Sequence, residues 1–223
     1  MDLIEYADSE AMMIDIAGTI AGELRQALSS QNAVSLAVPG GTTPAPIFDS
    51  LCGVDLDWAR VNVMLTDERW VPEDSERSNG RLVRRHLLTD HAAAARFMPF
   101  YTGDATPEDG LDALESALAP HLPLSVCLLG MGADMHTASI FPGADRLQDA
   151  LHGAAPLVPM RAHGAPEPRI TLSAAVLRDA MCRHIVITGD EKRAALERAQ
   201  QMRPEEAPVA AVLRGATVHW ARG

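Results

Sequence analysis

The chain has 223 residues and a formal net charge of −11 at pH 7, from 19 basic and 30 acidic side chains. This acidic balance argues against a general binder of nucleic acids or anionic membranes, because both need a basic face. It leaves room for an anionic small molecule, since a pocket needs only a few local cations. Hydrophobic residues make up 47% of the chain but aromatic residues only 4%, so the core must consist mainly of aliphatic side chains and alanine.

Three cysteines, Cys52, Cys127 and Cys182, lie far apart in apolar surroundings and form no CxxC spacing. We interpret them as buried thiols in a reducing compartment. The first residues, MDLIEYADSEAMM, are acidic and lack the basic start of a signal peptide. No apolar run approaches the ~18 residues that a membrane span needs. We therefore expect a cytoplasmic protein without a membrane segment.

Aliphatic runs alternate with alanine-rich amphipathic stretches along the chain. Strands are predicted from Ala33, Val61, Leu124, His184 and Val209, and helices around 9–29, 44–52, 75–90, 106–119, 174–181 and 190–202. In the fourth helix, Thr106 is predicted as the N-cap and Pro107 as the first residue. The pattern indicates an α/β fold, a Rossmann-like and mostly parallel sheet with helices on both faces. No repeat or long linker interrupts it, so we expect one domain over 1–223.

Four chemically unusual turns follow predicted strands or lie close to them: PGGTTP, TDERWVP, GMGADMHTAS and TGDEK. In parallel α/β sheets, ligands bind beyond the carboxyl ends of the strands, where the chain turns into the helices. These four turns, although distant in sequence, are therefore expected to meet at one edge of the sheet.

The first two turns offer groups that bind anions. The glycines and threonines of PGGTTP (40–43) combine backbone N–H groups, hydroxyls and a helix start, although the lysine of a P-loop is missing. A tight strand-to-helix turn with a threonine cap explains the same residues equally well. Arg69 in the second turn can grip a phosphate or carboxylate with two hydrogen bonds. The alternative for Asp67, Glu68 and Arg69 is an ordinary charged surface.

The third turn begins like a dinucleotide-binding loop, with Gly130 and Gly132, but Met135 stands where a third small residue is needed. His136 lies just past the strand, two residues after Asp134. An imidazole near neutral pH is a natural general base, and a neighbouring carboxylate can orient it. The alternative is a histidine that caps the next helix. No HExxH or clustered His/Cys spacing suggests zinc, so we predict no metal site.

Two further cations are less distinctive. Lys192 falls in the first turn of a predicted helix, where the helix dipole disfavours a cation, so a bound anion would explain its position. Arg169 opens the short apolar run RITLS. Taken alone, Lys192 is better explained as a flexible surface lysine, and Arg169 is unremarkable.

Taken together, five segments resemble the 6-phosphogluconolactonase family, which is related to the glucosamine-6-phosphate isomerases and deaminases. PGGTTP, LTDERWVP followed by SN, GMGADMHTASIFPGA, RITLS and TGDEK occur in the family's order over essentially the whole chain. The third segment is the most specific. The resemblance implies hydrolysis of 6-phospho-D-glucono-1,5-lactone to 6-phospho-D-gluconate in the pentose phosphate pathway, with no metal and no cofactor.

The resemblance also assigns roles to residues. The family's catalytic histidine and the aspartate before it fall on His136 and Asp134. Its substrate-binding positions fall on Gly40, Gly41, Thr42, Thr43, Asp67, Arg69, Asn79, Arg169 and Lys192. Met135 replaces the glycine that usually precedes the histidine, which matters if that position needs a positive φ or a close approach to the substrate.

Two other functions compete with the lactonase. A glucosamine-6-phosphate deaminase-like isomerase would carry a glutamate shortly after the histidine, and HTASIFPGAD has none there. A non-catalytic sugar-phosphate-binding module would keep the cations but would not need His136 beside Asp134. The sequence predicts a small phosphosugar partner, no nucleic acid and no membrane. It leaves the oligomeric state open.

Overall fold

The computed structural model describes residues 1–222; Gly223, the last residue of the predicted domain, lies outside them. A seven-stranded parallel sheet forms the centre. Its strands are β1 (Asp2–Tyr6), β2 (Val34–Val38), β3 (Val61–Leu65), β5 (Arg96–Met98), β6 (Val126–Gly130), β9 (Cys182–Thr188) and β10 (Thr217–Ala221). They lie in the order β1-β10-β9-β6-β2-β3-β5. The predicted α/β fold with a mostly parallel sheet is confirmed.

A second, antiparallel sheet lies in the order β4-β8-β7. It consists of β4 (Asp67–Arg69), β7 (Leu157–Met160) and β8 (Arg169–Leu172). β4 follows β3 directly, and its register places Arg69 opposite Arg169. This pairing brings together two arginines that are 100 positions apart in the chain.

The helices are α1 (Ser9–Leu28), α2 (Ala45–Leu51), α3 (Asn79–His86), α4 (Leu111–Leu118), α5 (Leu147–His152), α6 (Ala174–Arg178), α7 (Asp190–Ala199) and α8 (Ala210–Leu213). Every residue of β2 and β3 is buried, as expected for strands covered on both faces. The core is mostly aliphatic, with a few aromatic side chains such as Trp58 and Phe48. None of the helices within residues 1–222 combines the length and apolar character needed to cross a bilayer.

The strand predicted from Val209 is wrong. The segment VAAVL forms α8, because Pro208 and the two alanines favour a helical turn: Ala211 N donates to Pro208 O (3.1 Å) and Val212 N donates to Val209 O (2.9 Å). The last strand is instead β10, whose apolar run is interrupted by His219. Neither β10 nor the edge strand β1 was predicted.

The predicted N-cap at Thr106 is also wrong, because α4 begins only at Leu111. The backbone N and the hydroxyl of Thr106 both donate to the Asp109 carboxylate, at 3.0 and 2.7 Å. These bonds close a local turn, so the acid three residues on serves the turn instead of the helix. The helix predicted over 75–90 is shorter as well: it begins at Asn79 after the Ser78 cap.

Candidate active site

A cavity of about 250 Å³ lies at the carboxyl ends of β2 and β6. From β2 the chain progresses through β3 to β5, and from β6 through β9 and β10, so the strand order reverses between β2 and β6. In open α/β sheets this reversal opens a crevice for ligands. Ten of the eleven predicted site residues line the cavity: Gly40, Gly41, Thr42, Thr43, Asp67, Arg69, Asn79, His136, Arg169 and Lys192. The eleventh, Asp134, does not line it but contacts His136.

His136 and Asp134 form a tight pair. The distance from His136 Nδ1 to Asp134 Oδ1 is 2.5 Å, and the backbone N of His136 donates to the same oxygen at 3.2 Å. The hydrogen bond with His136 holds the pKa of Asp134 below its usual value. An ionised carboxylate can only accept, so Nδ1 carries a proton in this pair, and the tautomer of the neutral imidazole that fits it has Nε2 as the acceptor.

Gly132 makes room for the pair. A Cβ at this position would overlap the His136 ring and the Asp134 carboxylate. On its other side, the imidazole packs against Phe141, with ring centroids 4.4 Å apart and planes tilted by 32°. The imidazole is thus fixed by a carboxylate, a glycine backbone and an aromatic ring.

Met135 has φ +66°, a conformation that glycine adopts without strain and other residues rarely adopt. The family glycine at this position is therefore explained by the backbone. Two hydrogen bonds hold Met135 there: its N donates to Gly132 O (2.9 Å), and its O accepts from Val209 N (3.0 Å). The loop tolerates the methionine, but at a cost in conformational free energy.

Arg169 is 8% exposed, and its Nε is buried with no hydrogen-bond partner among residues 1–222. Its other polar contacts are weak: Nη1 lies 3.4 Å from Ser139 Oγ and 4.0 Å from Asp67 Oδ2. Burial lowers the pKa of Arg169, and the charge of Asp67 opposes this shift. A buried guanidinium with unused donors is the arrangement that a bound anion satisfies.

Arg69 lies opposite Arg169 and has the same property. Its Nη1 donates to Arg77 O at 2.7 Å, while its buried Nε has no partner among residues 1–222. Lys192, in the first turn of α7, lines the cavity as well. Three cationic side chains, from β4, β8 and α7, therefore line the same cavity.

The glycine turn, which contains Gly40 and Gly41, packs closely against Asn79. A Cβ on Gly40 would overlap the Asn79 amide, and Gly41 has φ +91°. Asn79 Nδ2 in turn donates to Asp67 O at 2.8 Å. The Asp67 side chain is buried and accepts from Ser139 Oγ at 2.6 Å. These contacts connect the turn after β2 to the strand β4.

Three residues outside the cavity lining contact residues of the site and were not predicted from the sequence: Glu68, Ser139 and Phe141. Ser139 and Phe141 follow His136 at short spacing, and their proximity was the available signal. Glu68 was interpreted as part of a charged surface, yet it is 1% exposed. A buried carboxylate at a strand end has no distinctive sequence pattern, because its donors come from a distant segment.

An imidazole–carboxylate pair and three cations at one crevice of a parallel sheet define an α/β protein with a cationic cavity suited to an anionic small molecule. Comparison with known protein families narrows this class. The model of the glucosamine-6-phosphate isomerases/6-phosphogluconolactonase family matches residues 7–220 of the chain. The chain belongs to this family. The resemblance found in its motifs is therefore confirmed.

Individual relatives support the same placement. The chain is 41% identical over 225 residues to the 6-phosphogluconolactonase of Rhizobium meliloti strain 1021, covering 97% of each chain. It is 42% identical over 210 residues to that of Pseudomonas aeruginosa, covering 92% of this chain and 88% of the relative. The crystal structure of a 6-phosphogluconolactonase from Shewanella baltica superposes with a TM-score of 0.96 at 32% identity, covering 99% and 97%.

Proposed function

We propose that this enzyme hydrolyses 6-phospho-D-glucono-1,5-lactone to 6-phospho-D-gluconate, a reaction of the pentose phosphate pathway. The observation that carries the proposal is the His136–Asp134 pair in one cavity with Arg69, Arg169 and Lys192. The base suits water activation, and the cations suit the phosphate of the substrate. The 6-phosphogluconolactonase relatives act on this class of substrate by their names.

In the proposed mechanism, His136 Nε2 takes a proton from a water molecule as the water oxygen attacks the lactone carbonyl at C1. The C1 oxyanion then collapses, the bond from C1 to the ring oxygen breaks, and His136 returns the proton to that oxygen. Asp134 holds the imidazole in the required tautomer and stabilises its transient positive charge. The product acid ionises, so one proton is released in each turnover.

The phosphate-binding half of the proposal uses the cations of the cavity. The guanidinium groups of Arg69 and Arg169 and the ammonium of Lys192 would bind the phosphate oxygens, together with the N–H groups of the glycine turn at 40–41. Charge-assisted hydrogen bonds of this kind are stronger than those between neutral groups. The phosphorylated lactone should therefore be strongly preferred over glucono-1,5-lactone.

The chain would act as one domain, as one family model spans residues 7–220. A cytoplasmic location belongs to the same proposal: Cys52, Cys127 and Cys182 are all free thiols, which suits a reducing compartment. No metal or cofactor takes part in the steps proposed for these residues.

The test is to follow acid release from freshly prepared 6-phosphogluconolactone in a pH-stat and to subtract the spontaneous hydrolysis rate. A parallel reaction with glucosamine 6-phosphate is assayed for ammonia. Acid release above background without ammonia is expected. Ammonia would identify a deaminase instead. Phosphosugar binding without either product would leave only a binding module.

A further inference from the structure

Glu68 is a buried carboxylate with an unusual set of partners. It is 1% exposed, yet every hydrogen bond that its side chain accepts within residues 1–222 comes from a backbone N–H or a hydroxyl. Burial raises its pKa, and the backbone N–H groups oppose that shift. Such a group is costly to bury, so its donors must be well placed to keep it there.

The carboxylate joins two segments. Oε1 accepts from the backbone N of Arg69 and from the backbone N of Asn79, both at 2.8 Å. Oε2 accepts from the backbone N of Gly80 at 2.8 Å and from Ser78 Oγ at 3.1 Å. Glu68 therefore binds the end of β4 to the first turn of α3, whose N–H groups have no partner within the helix.

Both segments carry the cavity's phosphate-facing residues. Arg69, whose buried Nε is unbonded, follows Glu68 directly. Asn79 lies across Gly40 so closely that no side chain fits there. Because Glu68 holds the backbone of both Arg69 and Asn79, it fixes the separation between the guanidinium and the glycine turn.

We propose that Glu68 is a positioning residue for phosphate recognition: its carboxylate sets the spacing between Arg69 and the glycine turn. The inference rests on the proposed function, since it assigns this half of the cavity to the phosphate. Glu68 lies outside the cavity lining and acts only through the two segments that it joins. Its effect is therefore on binding and not on the chemical step at His136.

Glu68→Gln is the sharpest test, because it keeps the size of the side chain. A glutamine has one accepting oxygen and one donating amide, so two of the four donors lose their acceptor and must move. One such loss in a buried network typically weakens an interaction by about tenfold. We expect KM for 6-phosphogluconolactone to rise about tenfold, with kcat within about twofold and KM for unphosphorylated gluconolactone unchanged.

Glu115→Gln is the matched control. Glu115 is partly buried on α4, also has a buried carboxylate oxygen, and does not line the cavity. It should leave both KM values unchanged. If Glu68→Gln lowers kcat equally for both lactones at unchanged KM, Glu68 serves only folding and the inference is overturned.

Two further measurements keep the inference testable if Glu68→Gln folds poorly or if the unmodified protein has no lactonase activity. Ser78→Ala removes one donor to Glu68 and the N-cap acceptor for Arg81 N, and should raise KM for the phosphorylated lactone about two- to threefold at constant kcat. No rise in either variant contradicts the inference. Calorimetric binding of inorganic phosphate needs no catalysis. If the unmodified protein lacks lactonase activity, the proposed function fails, while weaker phosphate binding by Glu68→Gln still supports the role of Glu68, and equal binding overturns it.

Discussion

Two polar clusters of the molecule differ in which of their hydrogen-bonding groups lack partners. One is a chain of hydrogen bonds, here called the histidine chain, that runs from exposed Asp15 through Tyr6 and the buried His219 and His184 to Glu23. Its four contacts measure 2.6, 2.9, 3.0 and 2.8 Å in that order. All four imidazole nitrogens and the tyrosine hydroxyl have a partner within the chain, so the chain is closed.

The cavity cluster consists of His136, Asp134, Arg69, Arg169 and Lys192, and some of its donors lack partners. Arg69 and Arg169 keep buried Nε atoms without partners, and the adjoining loop holds Met135 and Ala138 at positive φ. The histidine chain has no member among the residues with positive φ. Buried polar residues alone thus do not mark a ligand site. At the cavity, unpartnered arginine nitrogens and a strained loop occur together, which supports the proposed anion site.

The largest effect is expected from substitution of His136, the proposed general base. His136→Ala should lower kcat about 10²–10⁴-fold, the usual value of general-base catalysis, while KM changes little. The measurement is initial rate against substrate concentration after subtraction of spontaneous hydrolysis. His91→Ala, at an exposed position in a short 3-10 helix, is the control and should match the unmodified enzyme. A folded His136→Ala enzyme with normal kcat would exclude His136 as the base.

The open donors are tested by Arg169→Met and Lys192→Met. Each removes one charge-assisted contact, so KM for the phosphorylated lactone should rise about 10- to 100-fold. Glucono-1,5-lactone should be affected much less. Arg203→Met, at an exposed position outside the cavity, should change neither value. Equal kcat/KM for both lactones in the unmodified enzyme would refute the phosphate site.

The closed chain should affect stability and not activity. Burial, followed by the charge of His184, lowers the pKa of His219 from 6.5 to about 4. The unfolded chain takes up a proton below about pH 6.5 and the folded chain only near pH 4. The stability contributed by neutral His219 is therefore complete above pH 6.5 and is lost as the pH falls, by about 2 kcal/mol between pH 7.5 and pH 5.

Denaturant unfolding at those two pH values checks this dependence. His219→Gln should flatten it while leaving kcat at pH 7.5 unchanged. His163→Gln, at an exposed position, should keep the dependence of the unmodified chain. An equally steep acid loss in His219→Gln would assign the effect to other groups.

The smallest effect is expected at the strained loop. Met135 has a positive φ and a side chain packed against the core, so Met135→Gly removes both the strain and the packing, whereas Met135→Ala removes the packing and keeps the strain. The free energy of unfolding should therefore be about 1 kcal/mol higher for Met135→Gly than for Met135→Ala. Equal values for the two variants in denaturant unfolding would contradict a backbone strain at this position.

The sequence predicted the parts of the molecule that depend on local patterns. The apolar runs at β2, β3, β6 and β9 predicted buried parallel strands, and the turns after them predicted where a site would form. β10 was missed because His219 breaks its apolar run, and the histidine is accommodated only by partners on other elements, Tyr6 and His184. That information is absent from any local window.

The site shows the same division. His136 and Asp134 are two residues apart, so their pairing was visible in the motif, although their catalytic role remains a prediction. Glu68 was taken for a surface charge, because its donors at 78–80 follow it by ten or more positions and come together only when α3 packs beside β4. The positive φ at Met135 was raised only through the family glycine, since nothing in the methionine itself indicates it.

The cavity draws its walls from segments that follow β2, β6 and β9, and these strands lie side by side although about ninety and then about sixty positions separate them in the chain. Parallel strands cannot be joined by a local hairpin. Pairings between strands that are this far apart in the sequence form slowly, because the intervening chain must first be ordered. Helical signal should therefore return before catalytic activity when the denatured chain is diluted into buffer. The time course of recovered enzyme activity would therefore report when β2, β6 and β9 pair.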